Sequence, residues 1–225
     1  MKARAFGFIF LFIFTFSACL DDEGYSLDNF RIDFGIIGLE ESDDIIIILD
    51  DGTLLYYVAG YIPHSILKEG ERVLVDYTIL GDKNKADDHK EFYVRINSID
   101  KILKKGIIDI TPAIEDSIGN DPVILKDVWI SHNQLLNFRI KYYGNNKVHY
   151  INLVKQPGVI TAGNQPIVLG LRHNRNKDRE IYAMTAFVSF ELDAIKISGL
   201  DSVRFEVRSE DYDEESHVFK GVYHY

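Results

Sequence analysis

Cysteine is almost absent from this sequence, because Cys19 is the one cysteine among its 225 residues. An internal disulfide is therefore impossible. The sequence has no C-x-x-C pair and no H-E-x-x-H spacing, so the common signatures of a zinc site are missing. A G-x-S-x-G nucleophile motif and a glycine-rich phosphate loop are missing as well. We therefore expect no enzymatic activity, no cofactor and no metal. The histidines are interpreted as scattered residues rather than ligands: His64, His89, His132, His149, His173, His217 and His224.

Basic residues are outnumbered in this chain, since 25 Lys and Arg residues face 35 Asp and Glu residues. The formal net charge of −10 argues against general binding to DNA, RNA or an anionic membrane surface, all of which require a basic face. The composition, with 46% apolar and 12% aromatic residues, provides ample material for a folded core. We therefore expect a folded protein with no nucleic-acid partner.

Long apolar runs are also rare, and the longest, Phe6 to Phe16, is too short to span a bilayer. It follows the basic residues Lys2 and Arg4 and precedes Ser17-Ala18-Cys19, an order typical of a secretory signal peptide. The end of this segment resembles a bacterial lipobox, although Phe16 stands where Leu is usual. The resemblance implies a signal peptide over residues 1–18 and attachment of acyl chains, such as palmitate, to Cys19. Two or more such chains would hold a protein firmly at a membrane.

A short acidic tract, Asp21-Asp22-Glu23, lies in the segment 19–27 that we interpret as a tether. In lipoproteins of the Bacteroidetes, such a tract resembles the signal for export to the outer face of the outer membrane. A solvated tether would have the same composition, so both interpretations stay open. The expected location is the outer membrane, by a lipid anchor, with or without exposure at the cell surface.

The first half of the mature chain alternates apolar and polar residues over short segments, which is typical of β-strands. The Asp51-Gly52 dipeptide between two such segments predicts a hairpin. Five strands without a helical pattern suit a small closed barrel, which we assign to residues 28–108. The predicted strands are 29–39, 44–49, 53–61, 71–80 and 91–103.

The second half repeats this alternation after residues 109–122, where Pro112, Gly119 and several acidic residues indicate an interdomain linker. Gly144-Asn145-Asn146 predicts a hairpin turn between two of the later strands. Seven strands with frequent turns are typical of an antiparallel β-sandwich, assigned to residues 123–225. The predicted strands are 123–131, 135–143, 148–155, 166–171, 182–192, 203–208 and 218–225. The fold class is therefore all-β.

Several segments also occur in an order that is found in one protein family. They include Asp50-Asp51-Gly52, Glu69 to Val73, Asp127 to Ile130, Leu171-Arg172-His173-Asn174 and Val188 to Leu192. On these segments the chain resembles the NigD-like lipoproteins of the Bacteroidetes, from which Lys104-Lys105-Gly106 departs slightly. The resemblance implies an N-terminal oligonucleotide/oligosaccharide-binding (OB) barrel and a C-terminal β-sandwich. It implies no catalytic residue, and the family takes its name from association with a bacteriocin gene cluster.

The densest polar cluster lies between residues 171 and 180 and allows two interpretations. Its basic residues could form a patch for an anionic glycan or for the acidic face of a partner. A charged hairpin turn, with His173 and Asn174 bonded to the local backbone, is the favoured interpretation. The basic residues concerned are Arg172, His173, Arg175, Lys177 and Arg179.

Two further features have a structural and a functional interpretation. The acidic run Glu210 to Glu215 could bind Ca²⁺ through hard oxygen ligands, but it lacks the EF-hand order and fits an exposed loop better. Trp129 could offer a stacking surface to a sugar or peptide, but its position within a strand favours packing in the core.

These observations favour a lipid-anchored binding or interaction module whose partner is an envelope protein, a peptide or a glycan. The alternative, motivated by the family name, is a bacteriocin-associated immunity or envelope-protection lipoprotein.

Overall fold

The computed structural model describes residues 25–40, 44–84, 90–132, 134–161, 163 and 165–225. The expected signal peptide, Cys19 and most of the tether lie outside these residues. None of the described helices is long and apolar enough to cross a membrane.

The first domain is a closed five-stranded barrel, as the alternating pattern predicted. Side chains on alternate positions point inward, and those of Ile37, Ile47, Leu55 and Val94 are fully buried. Its strand order is β1-β2-β3-β5-β4, and only the β3–β5 pairing is parallel among those described. The strands are β1 (Arg31–Leu39), β2 (Ile45–Leu49), β3 (Leu54–Gly60), β4 (Arg72–Asp82) and β5 (Glu91–Lys101).

The second domain is a sandwich of two sheets, with orders β14-β13-β11-β10-β7 and β6-β12-β9-β8. Between the sheets, Leu153, Leu169 and Val207 meet Phe138 and Phe190, whose rings pack edge to face at 5.8 Å. The prediction of an all-β fold with a barrel followed by a sandwich is confirmed. The elements are β6 (Leu103–Lys105), β7 (Ile108–Asp109), α1 (Glu115–Ile118), β8 (Ile124–Ile130), β9 (Leu135–Gly144), β10 (Tyr150–Lys155), β11 (Ile167–Asn174), β12 (Tyr182–Glu191), a 3₁₀ turn (Asp193–Ile195), β13 (Ser202–Glu210) and β14 (Ser216–His224).

The connection from β9 to β10 does not form the expected hairpin, and that prediction was wrong. β9 pairs with β8 and β12, whereas β10 pairs with β11 and β7, so the chain crosses from one sheet to the other. The Asp178 carboxylate accepts hydrogen bonds from the backbone N–H groups of Asn145, Asn146 and Lys147. Because these three donors bind a side chain, they stabilise an arch between the sheets. We call residues 144–149 the arch.

The segment expected to be a linker is structured and lies against the sandwich. β7 pairs in parallel with β10, and β6 pairs in parallel with β12, so both short strands extend sandwich sheets. After β7, Ile110 and Ile118 pack on Val154, on the outer face of the five-stranded sheet. Residues 103–118, which connect the two domains, are therefore packed against the second domain.

A buried arginine joins the two domains. Arg72, at the start of β4, has no exposed surface and forms a bidentate ion pair with Asp50, whose Oδ2 lies 2.6 Å from Nη2. Its Nη2 also donates to Asn137 Oδ1 at 2.9 Å, and its Nε donates to Ser189 Oγ at 3.2 Å. The ion pair belongs to the barrel and the two further acceptors belong to the sandwich. One guanidinium therefore bonds both domains.

Aromatic rings surround this ion pair. The Trp129 indole N–H donates to Asp50 Oδ2 at 2.9 Å, and its ring lies 5.4 Å from that of Phe34. Phe34 also lies 4.9 Å from Phe187 and 5.3 Å from the guanidinium carbon of Arg72, a cation–π contact. Trp129 is partly buried at the domain junction, rather than in the sandwich core where its strand position suggested it would pack. We call this group of side chains the junction.

We expect Asp50→Asn to lower the free energy of unfolding by about 3–5 kcal/mol, because it leaves the buried charge of Arg72 without a counter-charge. Urea denaturation followed by the fluorescence of Trp129, the one tryptophan, measures this change.

Glu71→Gln is the matched control. The Glu71 side chain is 18% exposed and that of Asp50 is 19%, but Lys101, the partner of Glu71, is 51% exposed. An ion pair with an exposed cation contributes about 0–1 kcal/mol. Equal decreases in the free energy of unfolding in Asp50→Asn and Glu71→Gln would contradict the special role of the junction.

Candidate functional site

The candidate site is a concave surface on the outer face of the five-stranded sheet. In this sheet Val154 of β10, Gly170 of β11 and Arg208 of β13 are neighbours across the strands. Because Gly170 has no side chain, the sheet surface is depressed between them. The resulting groove has a volume of about 310 Å³. We call it the sheet groove.

The sheet groove has an apolar floor and a charged rim. Val168 is 45% exposed and provides apolar surface, whereas the other apolar lining residues Ile110 and Val154 are buried. The charged side chains that line it are Lys155, Arg172, Arg208 and Glu210. The rim therefore carries three cations and one carboxylate, on a protein that is acidic overall.

The three cations differ in how their charge is compensated. Lys155 forms an ion pair with Asp109, and Arg208 forms one with Glu206. Arg172 instead donates from Nη1 to the neutral amide oxygen of Asn120. Within the described part of the chain, no carboxylate pairs with Arg172.

The Arg172 Nε–H is buried, and it has no hydrogen-bond acceptor among the described residues. Arg172 is connected to a negative charge indirectly, because its partner Asn120 donates from Nδ2 to Glu210 Oε2 at 3.1 Å. A buried donor without a partner costs about 1–3 kcal/mol. The sheet groove therefore contains a guanidinium with unused capacity to bind an anion.

The predicted basic patch is divided by the structure. Arg172 and His173 lie on β11 and point to opposite faces, because side chains alternate along a strand. Arg175 forms ion pairs with Asp121 at 3.1 Å and with Glu180, so its charge is compensated. Lys177 and Arg179 are exposed, and positive φ angles of 55° at Asn176 and Lys177 turn the chain. This turn connects β11 in one sheet to β12 in the other, so the favoured interpretation as a hairpin turn was wrong. Arg172 lines the sheet groove, whereas Arg175, Lys177 and Arg179 line a second concave surface together with four carboxylates: Asp116, Asp121, Asp178 and Glu180.

Two of the histidines expected to be scattered are stacked in the second domain. The rings of His149 and His173 lie 5.0 Å apart, and Nδ1 of His149 is 2.8 Å from Nε2 of His173. Both rings contact Tyr142, at 4.7 and 5.3 Å. His149 Nε2 lies 3.2 Å from the Asp178 carboxylate that holds the arch. Sequence spacing could not reveal this cluster, because the arch brings together residues 24 positions apart.

The hydrogen bonds of this cluster determine which ring nitrogen of His173 carries the proton. His173 Nδ1 lies 2.9 Å from the Pro122 carbonyl oxygen, which can only accept, so Nδ1 carries the proton and Nε2 is an acceptor. His149 lies between this acceptor, which is 2.8 Å from its Nδ1, and the Asp178 carboxylate, which is 3.2 Å from its Nε2. The cluster therefore suits a structural role in which His173 stays neutral.

The pKa values in the cluster follow from burial and hydrogen bonding. Desolvation lowers the pKa of His173, although its bond to the Pro122 carbonyl acts in the opposite direction. Desolvation would raise the pKa of Asp178, but the hydrogen bonds from the Asn145 N–H, from His149 and from neighbouring N–H groups outweigh it. The pKa of Asp178 therefore lies well below the usual range.

The acidic run from Glu210 to Glu215 forms the turn between β13 and β14, as an exposed loop would. Asp211 Oδ1 accepts the backbone N–H groups of Asp213 and Glu215, and Oδ2 lies 2.7 Å from His217 Nε2. The hydrogen bond with His217 lowers the pKa of Asp211. Ligand atoms of Asp211, Glu215 and His217 lie within 4.8 Å of one another, a spacing that could accommodate a cation. The same contacts are sufficient to hold the turn.

Comparison with known proteins identifies the family. The family model of the NigD-like C-terminal β-sandwich domain matches residues 106–221, and the family model of the NigD-like N-terminal OB domain matches residues 36–102. The chain belongs to the NigD-like family. The sequence resemblance is thereby confirmed over both domains of this NigD-like protein. No functionally curated protein matches it.

Several solved structures share the NigD-like fold. One, from Parabacteroides distasonis and provisionally described as toxin-related, is 28% identical with a TM-score of 0.71, covering 87% of this chain and 94% of the other. A NigD-like immunity protein from Bacteroides caccae is 19% identical with a TM-score of 0.64, covering 85% and 97%. A protein from Bacteroides fragilis, provisionally described as a lipoprotein, is 11% identical with a TM-score of 0.56, covering 85% and 97%. The last two similarities show a shared fold.

We expect the stability of the NigD-like protein to fall on acidification below about pH 6.5, the ordinary pKa of histidine. The folded-state pKa of His173 is lowered, so the unfolded chain binds this proton first as the pH falls. The free energy of unfolding then decreases by at most about 1.4 kcal/mol per pH unit for this one proton. Asp178, whose pKa is also lowered, adds a further loss below about pH 4.

Urea denaturation at several pH values between 7 and 5 measures this slope. His173→Gln should flatten it, whereas His224→Gln, a change at an exposed histidine, should leave it as in the unmodified protein. An unchanged slope in His173→Gln would show that another group is responsible.

Proposed function

We propose that this NigD-like protein is a lipid-anchored envelope protein that binds a partner through the sheet groove and carries out no chemistry itself. The observation that carries the proposal is the groove with its uncompensated Arg172. A concave surface with an apolar floor and a few polar groups is typical of a binding site. The partner would be an envelope protein, a peptide or a glycan, and no nucleic acid is expected because the chain is acidic.

The anchoring part of the proposal rests on the leader. Its basic start, its apolar run and Ser17-Ala18-Cys19 support cleavage before Cys19 and acylation of that residue. The description of the Bacteroides fragilis neighbour as a lipoprotein is consistent with this location, which we place at the outer membrane. Mass analysis of the mature amino terminus should show an acylated Cys19, and an unmodified terminus would contradict the anchor.

The non-catalytic part of the proposal is supported by the groups that line the groove. Lys155 and Arg208 are held in ion pairs, and the Arg172 guanidinium cannot serve as a proton donor or base at neutral pH. Ser209 lies at the groove, but its Oγ has no hydrogen-bonded partner among the described residues that could act as a base. These groups are suited to binding rather than to acid–base or nucleophilic catalysis.

Affinity capture with the lipid-anchored protein in intact outer membranes, followed by mass spectrometry, tests the proposal. We expect Val168→Glu to abolish capture of the main partner, because it places a negative charge in the groove at an exposed position.

Val222→Glu is the matched control for this capture. It makes the same substitution on the same sheet, at a valine that is 43% exposed and does not line the groove. It should leave capture intact. A partner captured equally by both variants would contradict a binding role for the groove.

A second candidate function is immunity or envelope protection against a bacteriocin. The descriptions of two structural neighbours, one as toxin-related and one as a NigD-like immunity protein, favour it. It predicts that deletion of the gene sensitises cells to the toxin of a sibling strain. Unaltered sensitivity together with groove-dependent capture would favour the binding module alone.

A further inference from the structure

We infer that the sheet groove binds the terminal carboxylate of a peptide whose last side chain is apolar, with Arg172 as the residue that binds the carboxylate. This inference rests on the proposed binding function and names the class of its ligand. It follows from three properties of the groove: the free edge of one guanidinium, the apolar floor and the net charge of its surroundings.

The guanidinium of Arg172 has an acceptor at Nη1 and none at Nε. Nη1 donates to Asn120, which in turn donates to Glu210. The other edge is formed by Nε and Nη2, and Nε is buried without an acceptor in the described structure, so a ligand engages this edge when the Arg172 side chain shifts toward it. A carboxylate accepts two parallel N–H donors from such an edge, and these charge-assisted bonds are about twice as strong as neutral ones. A single carboxylate therefore fits the unused donors better than a neutral group does.

Asn120 makes Arg172 suitable for binding rather than for folding alone. If Glu210 contacted the guanidinium directly, as Glu206 contacts Arg208, the charge would already be neutralised. The Asn120 amide stands between them, accepting from Arg172 and donating to Glu210. It orients the guanidinium while it leaves the positive charge for an external ligand.

The floor of the groove selects the group attached to the carboxylate. Val168 offers exposed apolar surface near Gly170, so an aliphatic side chain would lose contact with water there. No aromatic ring, on which a sugar ring could stack, is among the described residues that line the groove. The exposed apolar side chain of Val168 and the missing aromatic ring therefore favour a peptide end over an acidic sugar.

The size and charge of the site limit the ligand further. A volume of about 310 Å³ is at the lower end for ligand sites, so it suits a terminal residue rather than a folded surface. The chain as a whole is acidic, and a polyanion would be repelled by it. One carboxylate on an otherwise uncharged peptide end avoids this repulsion.

Titration calorimetry with two synthetic peptides tests the inference. The peptides are acetyl-Ala-Ala-Leu with a free carboxylate and the same sequence with a carboxamide end. We expect the free acid to bind about 10- to 100-fold more tightly, the range given by hydrogen bonds to a charged partner. Arg172→Met should remove this preference. Arg139→Met, the same change on the other sheet at an exposed arginine paired with Asp127, should retain it.

A replacement variant and additional ligands ensure that each outcome supports or contradicts the inference. If Arg172→Met does not fold, as judged by circular dichroism, Val168→Glu replaces it, because an exposed position tolerates the change and the new charge should abolish binding of the free acid. Equal binding of acid and amide, or tighter binding of a glucuronate disaccharide than of the peptide, would overturn the inference. If capture from membranes needs the groove but acid and amide bind equally, the proposed function stands and the ligand class is wrong. If capture does not need the groove, the proposed function itself fails.

Discussion

The structure depends on the burial of one charged side chain, Arg72, between two β-domains. Removing a guanidinium from water is costly unless its donors are bonded and its charge is balanced. Asp50 balances the charge from within the barrel, whereas Asn137 and Ser189 complete the hydrogen bonds from the sandwich. If the sandwich moved away, Arg72 would lose these acceptors. The relative position of the domains is therefore coupled to the stability of the barrel.

Two short segments contribute both to the local fold and to contacts elsewhere in the molecule. The Asp50-Asp51-Gly52 turn joins β2 to β3, and the positive φ of Gly52, 87°, fits the chain reversal. Asp51 stabilises the turn by accepting the Thr53 N–H, which leaves the Asp50 carboxylate free to bind Arg72 and Trp129. In the sandwich, the structured passage from β6 to α1 covers part of the outer sheet face. This passage supplies Ile110 to the sheet groove, and the segment that follows α1 supplies Asn120, so the fold between the domains also shapes the candidate site.

Most of the fold could be predicted from the sequence, because alternation of apolar and polar residues reports which face of a strand is buried. Strand β4, in which Val73, Val75, Tyr77 and Ile79 are buried, follows this rule. Strand β2 is apolar throughout and was predicted from the Asp-Gly turn that follows it. The short strands β6 and β7 could not be predicted, since two or three residues carry no periodic signal. Asn137 illustrates a different limit. It alternates with buried residues as a solvent-facing residue would, yet it is 1% exposed because the other domain covers it.

The candidate site was less accessible to sequence reasoning. Arg172 stood out as one of five basic residues, but nothing in its local sequence separated it from Arg175. The distinction depends on which cations find carboxylates, and Asp121 and Glu180 reach Arg175 only in the folded chain. The depression at Gly170 depends on the register of three strands that lie far apart in the sequence. The contact of His149 with His173 likewise depends on the arch, where a hairpin was expected.

Because Arg72 is shared between the two domains, we expect them to unfold as one cooperative unit. Differential scanning calorimetry of the mature protein should then show a single unfolding transition whose calorimetric enthalpy equals the van't Hoff enthalpy. Two resolved transitions, one for the barrel and one for the sandwich, would contradict this expectation.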